Sequence, residues 1–180
     1  MKKTWLTLSS KVLHGNDYFS LYEDTYQKPN GLISKYFFIK KRPFVSIIPF
    51  ASENEIYLVR QFRYTIQEHT WEIPEGFTEN NEEPLDSAKR ELIEETGIKA
   101  QIWKELGYAY LAVGHTNQKY FIFIAEKLNF LTKIKPGDEI EEIAKFNLKQ
   151  IRDMILNNII TDAVSLTSLY KYFLVSGRRL

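Results

Sequence analysis

The chain has 180 residues, 44% of them hydrophobic and 14% aromatic, which is enough to bury a core as one domain, and no second domain is expected. With 24 Lys and Arg against 23 Asp and Glu the net charge is +1, so neither nonspecific nucleic-acid binding nor attachment to an anionic membrane is indicated, and a small molecule is the expected partner. The lack of cysteine excludes disulfides, thiolate catalysis and cysteine zinc sites.

The amino end, Met1-Lys2-Lys3 followed by the polar-interrupted Thr4 to Lys11, lacks the apolar run of a secretory signal, and cytoplasm is the expected compartment. No apolar segment approaches the roughly 20 residues that span a bilayer. Three strand-like runs come first: Trp5 to Leu13, Tyr18 to Gln27 and Leu32 to Lys40, separated by turns at Gly15-Asn16-Asp17 and Pro29-Asn30-Gly31. They read as an antiparallel meander spanning residues 1–42 of the same domain, with 43–180 as the rest. Phe44 to Phe50 and Ile56 to Phe62 are richer in aliphatics and flank Ser52-Glu53-Asn54, a hairpin turn between two central strands. At the end of the second stands Arg60-Gln61-Phe62-Arg63-Tyr64. Arg60 and Arg63, three apart, offer guanidinium forks that suit a diphosphate.

After Trp71-Glu72-Ile73-Pro74-Glu75-Gly76 comes the most informative stretch, Gly76 to Ile98. Pro84 suits a first helical position, where its missing donor costs nothing, and Gly97 suits the left-handed residue that ends a helix. Between them Leu85, Ala88 and Leu92 form an apolar stripe that can pack on a core. Glu91, Glu94 and Glu95, spaced by three and four, share another face within roughly 100° of arc. Three like charges so close repel each other unless a cation sits among them. Oxygen-only ligands favour a hard ion, Mg²⁺ with Mn²⁺ as the alternative, over zinc. Arg90, beside Glu91 and one turn before Glu94, can hold a carboxylate in place by a charged hydrogen bond.

Gln101 to Ala112 and Tyr120 to Leu128 suit strands, and Ile143 to Leu148 a last one. Two helices close the chain, Leu148 to Asn157 and Asp162 to Val175, with Thr161 or Asp162 as N-cap of the second. Alternating strands and helices point to a mixed sheet between helices.

The pattern G-x5-E-x7-R-E-U-x-E-E-x-G-U, with U aliphatic, is met at every fixed position by Gly76, Glu82, Arg90, Glu91, Leu92, Glu94, Glu95, Gly97 and Ile98. It resembles the signature of the Nudix hydrolase family. The resemblance implies an α/β class fold, the Nudix α/β/α sandwich with a mixed sheet, here preceded by the antiparallel β meander. The segments Arg60 to Tyr64 and Trp71 to Gly76 together look like the ADP-ribose pyrophosphatase branch. In that branch a small residue usually precedes the glycine and its carbonyl helps bind metal; here that residue is Glu75. Tyr110 to Gln118 resembles a loop with a proline before its glycine, where this chain has Val113 before Gly114. Pro136 to Glu142 looks like the branch's acidic loop.

Carried over residue by residue, the resemblance implies metal held by Glu75, Glu91, Glu95 and Glu141, catalytic roles for Glu139 as general base with Glu94 and Arg90, and substrate binding by Arg60, Arg63, Glu72 and Gly114. The implied reaction is hydrolysis of a nucleoside diphosphate sugar to a nucleoside monophosphate and a sugar phosphate. Nucleoside triphosphates or dinucleoside polyphosphates as substrates, and a nucleotide-sensing module without turnover, remain the alternatives. A twofold homodimer paired through the N-terminal strands is likewise implied.

Overall fold

The computed structural model describes residues 4–131 and 140–178. They form two compact units, one built from the residues up to Pro43 with Tyr110–Lys119, the other from Phe44–Ala109 with the chain from Tyr120 onward.

The first unit is a three-stranded antiparallel sheet: β1 (Leu6–Gly15), β2 (Ser20–Gln27) and β3 (Ile33–Lys40), in that order. Asn16 caps the first turn by accepting from the Tyr18 and Phe19 amides. Aromatic pairs bind one face, with Tyr22 stacked on Phe38 at 5.4 Å and Trp5 on Tyr26 at 5.4 Å. Leu6, Leu8, Val12, Ile33 and Phe37 stay exposed.

The second unit holds a seven-stranded mixed sheet. Its strands are β4 (Phe44–Ser52), β5 (Glu55–Arg63), β6 (Glu68–Glu72), β7 (Glu75–Phe77), β8 (Ile98–Tyr110), β9 (Lys119–Phe130) and β10 (Ile140–Asn147). The main path runs β10-β5-β4-β9-β8, with β6 on β5 and β7 on β4. The β4–β9 pair is parallel, whereas β4–β5, β4–β7, β5–β6 and β5–β10 are antiparallel. The short strands β6 and β7 are additions to the expected elements; five and three residues carry too little alternation to read as strands.

Three helices cover the sheet: α1 (Pro84–Thr96), α2 (Leu148–Leu156) and α3 (Ala163–Ser176). Alternation along the central strand β4 divides the core, as a period of two requires. Val45 and Ile47 face α1 through Ala88 and Leu92, while Ile48 and Phe50 face α2 and α3 through Ile151, Ile155, Leu169 and Tyr172. The sheet is therefore sandwiched between helical layers. No helix among the described residues is long and apolar enough to cross a membrane.

Helix ends match their residues. Pro84 opens α1, and Gly97, at φ 67°, closes it by donating its amide to the Ile93 carbonyl at 2.8 Å. At the β10–α2 junction Asn147 ends the strand and caps the helix, accepting from the Gln150 amide while the Gln150 side chain accepts from the Asn147 amide. Asp162 caps α3 by accepting from the Ser165 amide at 2.6 Å.

Candidate active site

The β6–β7 turn lies against the acidic face of α1, and the two are joined through side chains of the helix and backbone of the turn. The Glu75 amide donates to Glu95 Oε2 at 3.1 Å. At Gly76 a Cβ atom would fall 1.9 Å from Cδ of Glu91, so the missing side chain is what allows that carboxyl group to lie on the strand. Glu91 and Glu95 are thus brought to adjacent residues of β7.

Arg90 organises the neighbouring acids. Its guanidinium donates to both oxygens of Glu82 at 3.1 and 2.9 Å, to Glu91 at 2.7 Å, to Glu94 at 2.9 Å and to the Phe77 carbonyl at 2.9 Å. Glu82 also accepts from the Ser87 hydroxyl and the Glu79 amide. The hydrogen bond from Arg90 comes first among the causes that hold the Glu82 carboxyl down at about 2. Arg90 itself is held more firmly protonated, chiefly by Glu82.

The two α1 acids that lie on β7, Glu91 and Glu95, are shifted the other way from Glu82. Burial pushes the Glu95 carboxyl well above the usual carboxylate range, against the opposing pull of the Glu75 amide, and pushes Glu91 up against the pull of Arg90. Two acids drawn out of water, with Arg90 on Glu91 and the charge of Arg63 acting on Glu95, make an all-oxygen pocket. That donor set fits a hard divalent cation.

A second acidic group adjoins it. Oxygens of Glu72, Glu75 and Asp162 lie within 4.8 Å of one another. Glu72, 1% exposed, is saturated: it accepts from Gln61 at 3.2 Å, from Arg63 through Nε at 2.8 Å and again through Nη2, and from the Thr70 hydroxyl. Burial, followed by the charge of Asp162, raises the Glu75 carboxyl well above its ordinary value. The Ser165 hydroxyl donates to Glu75 Oε1 at 3.2 Å. The Glu75 side chain is therefore turned to the first turn of α3, while its amide faces Glu95.

The remaining candidates fall elsewhere. Glu141 accepts from, or shares a proton with, His69 at 2.7 Å and stands 3.6 Å from Arg60 Nη1. The bulge between Ile140 and Glu142 in the β10–β5 ladder lets it reach this β5–β6 surface. Arg63 is committed to Glu72 and so does not present a free fork. Gly114 belongs to the N-terminal unit, where its carbonyl accepts from the Tyr36 hydroxyl at 2.9 Å. Glu139 lies outside the described residues. Sequence reading singled out neither Ser165 nor His69, and gave Asp162 a capping role alone; no local spacing links these residues to partners some 70 to 90 positions away.

A NUDIX domain family model matches residues 40–165. The chain is 30% identical to the ADP-ribose pyrophosphatase of Bacillus subtilis (strain 168), over 87% of this chain and 86% of that protein. It is 31% identical to the ADP-ribose pyrophosphatase of Mycobacterium tuberculosis, over 85% and 78% respectively. Among solved structures, one titled as an ADP compounds hydrolase superposes with a TM-score of 0.83 over 98% of this chain and 97% of that one, at 19% identity, a likeness of fold.

Proposed function

This chain belongs to the Nudix family of pyrophosphohydrolases, and from that premise we propose that it hydrolyses the pyrophosphate bond of a nucleoside diphosphate sugar such as ADP-ribose, giving a nucleoside monophosphate and a sugar phosphate. The observation that carries the reading is the seating of Glu91 on Gly76 and of Glu95 on the Glu75 amide, which gathers two desolvated carboxyl groups at one backbone turn.

A diphosphate repels an incoming water, so the reaction needs positive charge near the nonbridging oxygens and a base for the water. Bound Mg²⁺, with Mn²⁺ as the alternative, would supply that charge. In this reading Glu91, Glu95 and the Glu75 carbonyl would hold the ion, with Glu94 beside them, and Glu141 would join as a further ligand only by leaving His69 and Arg60. Arg90 keeps Glu91 and Glu94 in place and leaves their remaining oxygens free. Glu139 takes the proton from the attacking water. Arg60 and the exposed part of the Arg63 guanidinium bind substrate, and the saturated Glu72 acts by holding Arg63 rigid. The exposed apolar residues of the N-terminal sheet support pairing of two copies through residues 1–42.

The deciding experiment is a substrate panel with Mg²⁺: ADP-ribose, ADP-glucose, GDP-mannose, UDP-glucose, nucleoside triphosphates and dinucleoside polyphosphates. Turnover of a sugar nucleotide in preference to the others is the expected result. Preference for triphosphates would move the assignment to that substrate class, and tight binding without turnover of any compound would overturn catalysis.

A further inference from the structure

Ser165, at the third position of α3, is fully buried, and its amide and its hydroxyl are both engaged. Its amide donates to the Asp162 cap at 2.6 Å, its hydroxyl oxygen accepts from the Ile73 amide at 3.1 Å, and the hydroxyl proton goes to Glu75 Oε1 at 3.2 Å. One side chain thus grips both ends of Ile73-Pro74-Glu75, from 92 and 90 residues away. The same segment is held from its other sides by the Ile47 amide, which donates to the Pro74 carbonyl at 2.9 Å, and by Glu95, which accepts from the Glu75 amide. Because the cap fixes the first turn of α3, the hydroxyl has a fixed origin from which to hold the segment.

We infer that Ser165 is a positioning residue of the metal centre, holding Ile73–Glu75 so that the Glu75 backbone meets the Glu95 carboxylate at the place where both would reach the ion. The inference rests on the metal reading of Glu75 and Glu95 given above. It explains how this chain accommodates glutamate at a position where a small residue would need no receptor: the side chain is turned away from the metal acids and received by Ser165 and Asp162. Partners of this kind, one contact removed from the ion, alter metal affinity by roughly 10- to 100-fold when removed.

The test is Mn²⁺ titration of the substrate-free protein by electron paramagnetic resonance, at a temperature where every variant is folded. Ser165→Ala is expected to bind Mn²⁺ about tenfold more weakly than the wild type, with KM for ADP-ribose at saturating Mg²⁺ unchanged within about twofold. Ser165→Thr, which keeps the hydroxyl, should restore affinity. Ile155→Val, which trims the core beneath α2, serves as a control of reduced stability and should bind Mn²⁺ like the wild type. Unchanged Mn²⁺ affinity in Ser165→Ala, equal weakening in Ser165→Thr, or equal weakening in Ile155→Val would each overturn the positioning role. Absence of Mn²⁺ binding by the wild type would instead bring down the metal reading, and this inference with it.

Discussion

Gly76 and Glu91 occupy each other's space: a Cβ on the glycine would meet Cδ of the glutamate at 1.9 Å and its oxygens at 2.1 and 2.3 Å. Neither the strand, paired with β4, nor the helix, anchored by Ala88 and Leu92, can withdraw to make room. Gly76→Ala should therefore displace the Glu91 carboxyl and lower kcat/KM by about 100-fold, the cost of a misplacement near 1 Å. Steady-state hydrolysis of ADP-ribose alongside circular dichroism would check that activity falls while the fold persists.

Glu95→Gln removes a proposed ligand and should cut kcat by at least about 100-fold. It also carries a stability signature. The folded-state pKa of Glu95 is raised, so in metal-free wild type its contribution is fully present below the ordinary carboxylate pKa and is lost as pH rises through the higher folded value. With EDTA present, Tm of the variant should accordingly fall less than that of the wild type as pH is raised from 5 to 8. Equal slopes would contradict the burial of an ionising acid there.

Glu82 has the opposite sign. Its folded pKa is depressed to about 2, so its stabilisation is complete above the ordinary carboxylate pKa and is lost as pH falls from there through about 2. Glu82→Gln should cost about 1.5–3 kcal/mol at pH 7, the scale of a hydrogen bond to a charged group, and most of that difference should be gone at pH 2. Urea unfolding at the two pH values gives the comparison.

Arg90 donates to three carboxylates and one carbonyl from a single planar group. Lysine can keep the charge but not that fork. Arg90→Lys should recover less than half of the stability lost in Arg90→Ala, which we place at about 2–4 kcal/mol for a partly buried network left with unpaired acids. Denaturant midpoints of both variants would decide it.

For the N-terminal sheet, light scattering at micromolar concentration should report a dimer. Phe37→Asp, on β3 where the residue is 54% exposed, should shift it toward monomer. A wild-type monomer would rule out pairing through this face.

The strands and helices that carry long apolar patterns were legible in the sequence. Pro84 and Gly97 mark the ends of α1, and the stripe Leu85, Ala88 and Leu92 marks its packed face, because each acts through its immediate neighbours. The gathering of Glu91 with Glu95 follows from helical spacing. What spacing could not convey is where side chains go once distant elements meet. Glu141 turns to His69 because of a bulge, Arg63 is absorbed by Glu72, and the Glu75 side chain finds Ser165 across 90 positions. These are tertiary outcomes with no local signal.

At Asn147 a strand becomes a helix within one residue, whose side chain and amide both engage Gln150. There is no slack at this joint. Each residue of an α-helix advances its faces by about 100°, so a single inserted residue here would rotate Ile151 and Ile155 off the sheet and carry exposed Gln150 and Asp153 round toward it. Length variation among relatives should therefore be absorbed on either side of this seam and spare the seam itself.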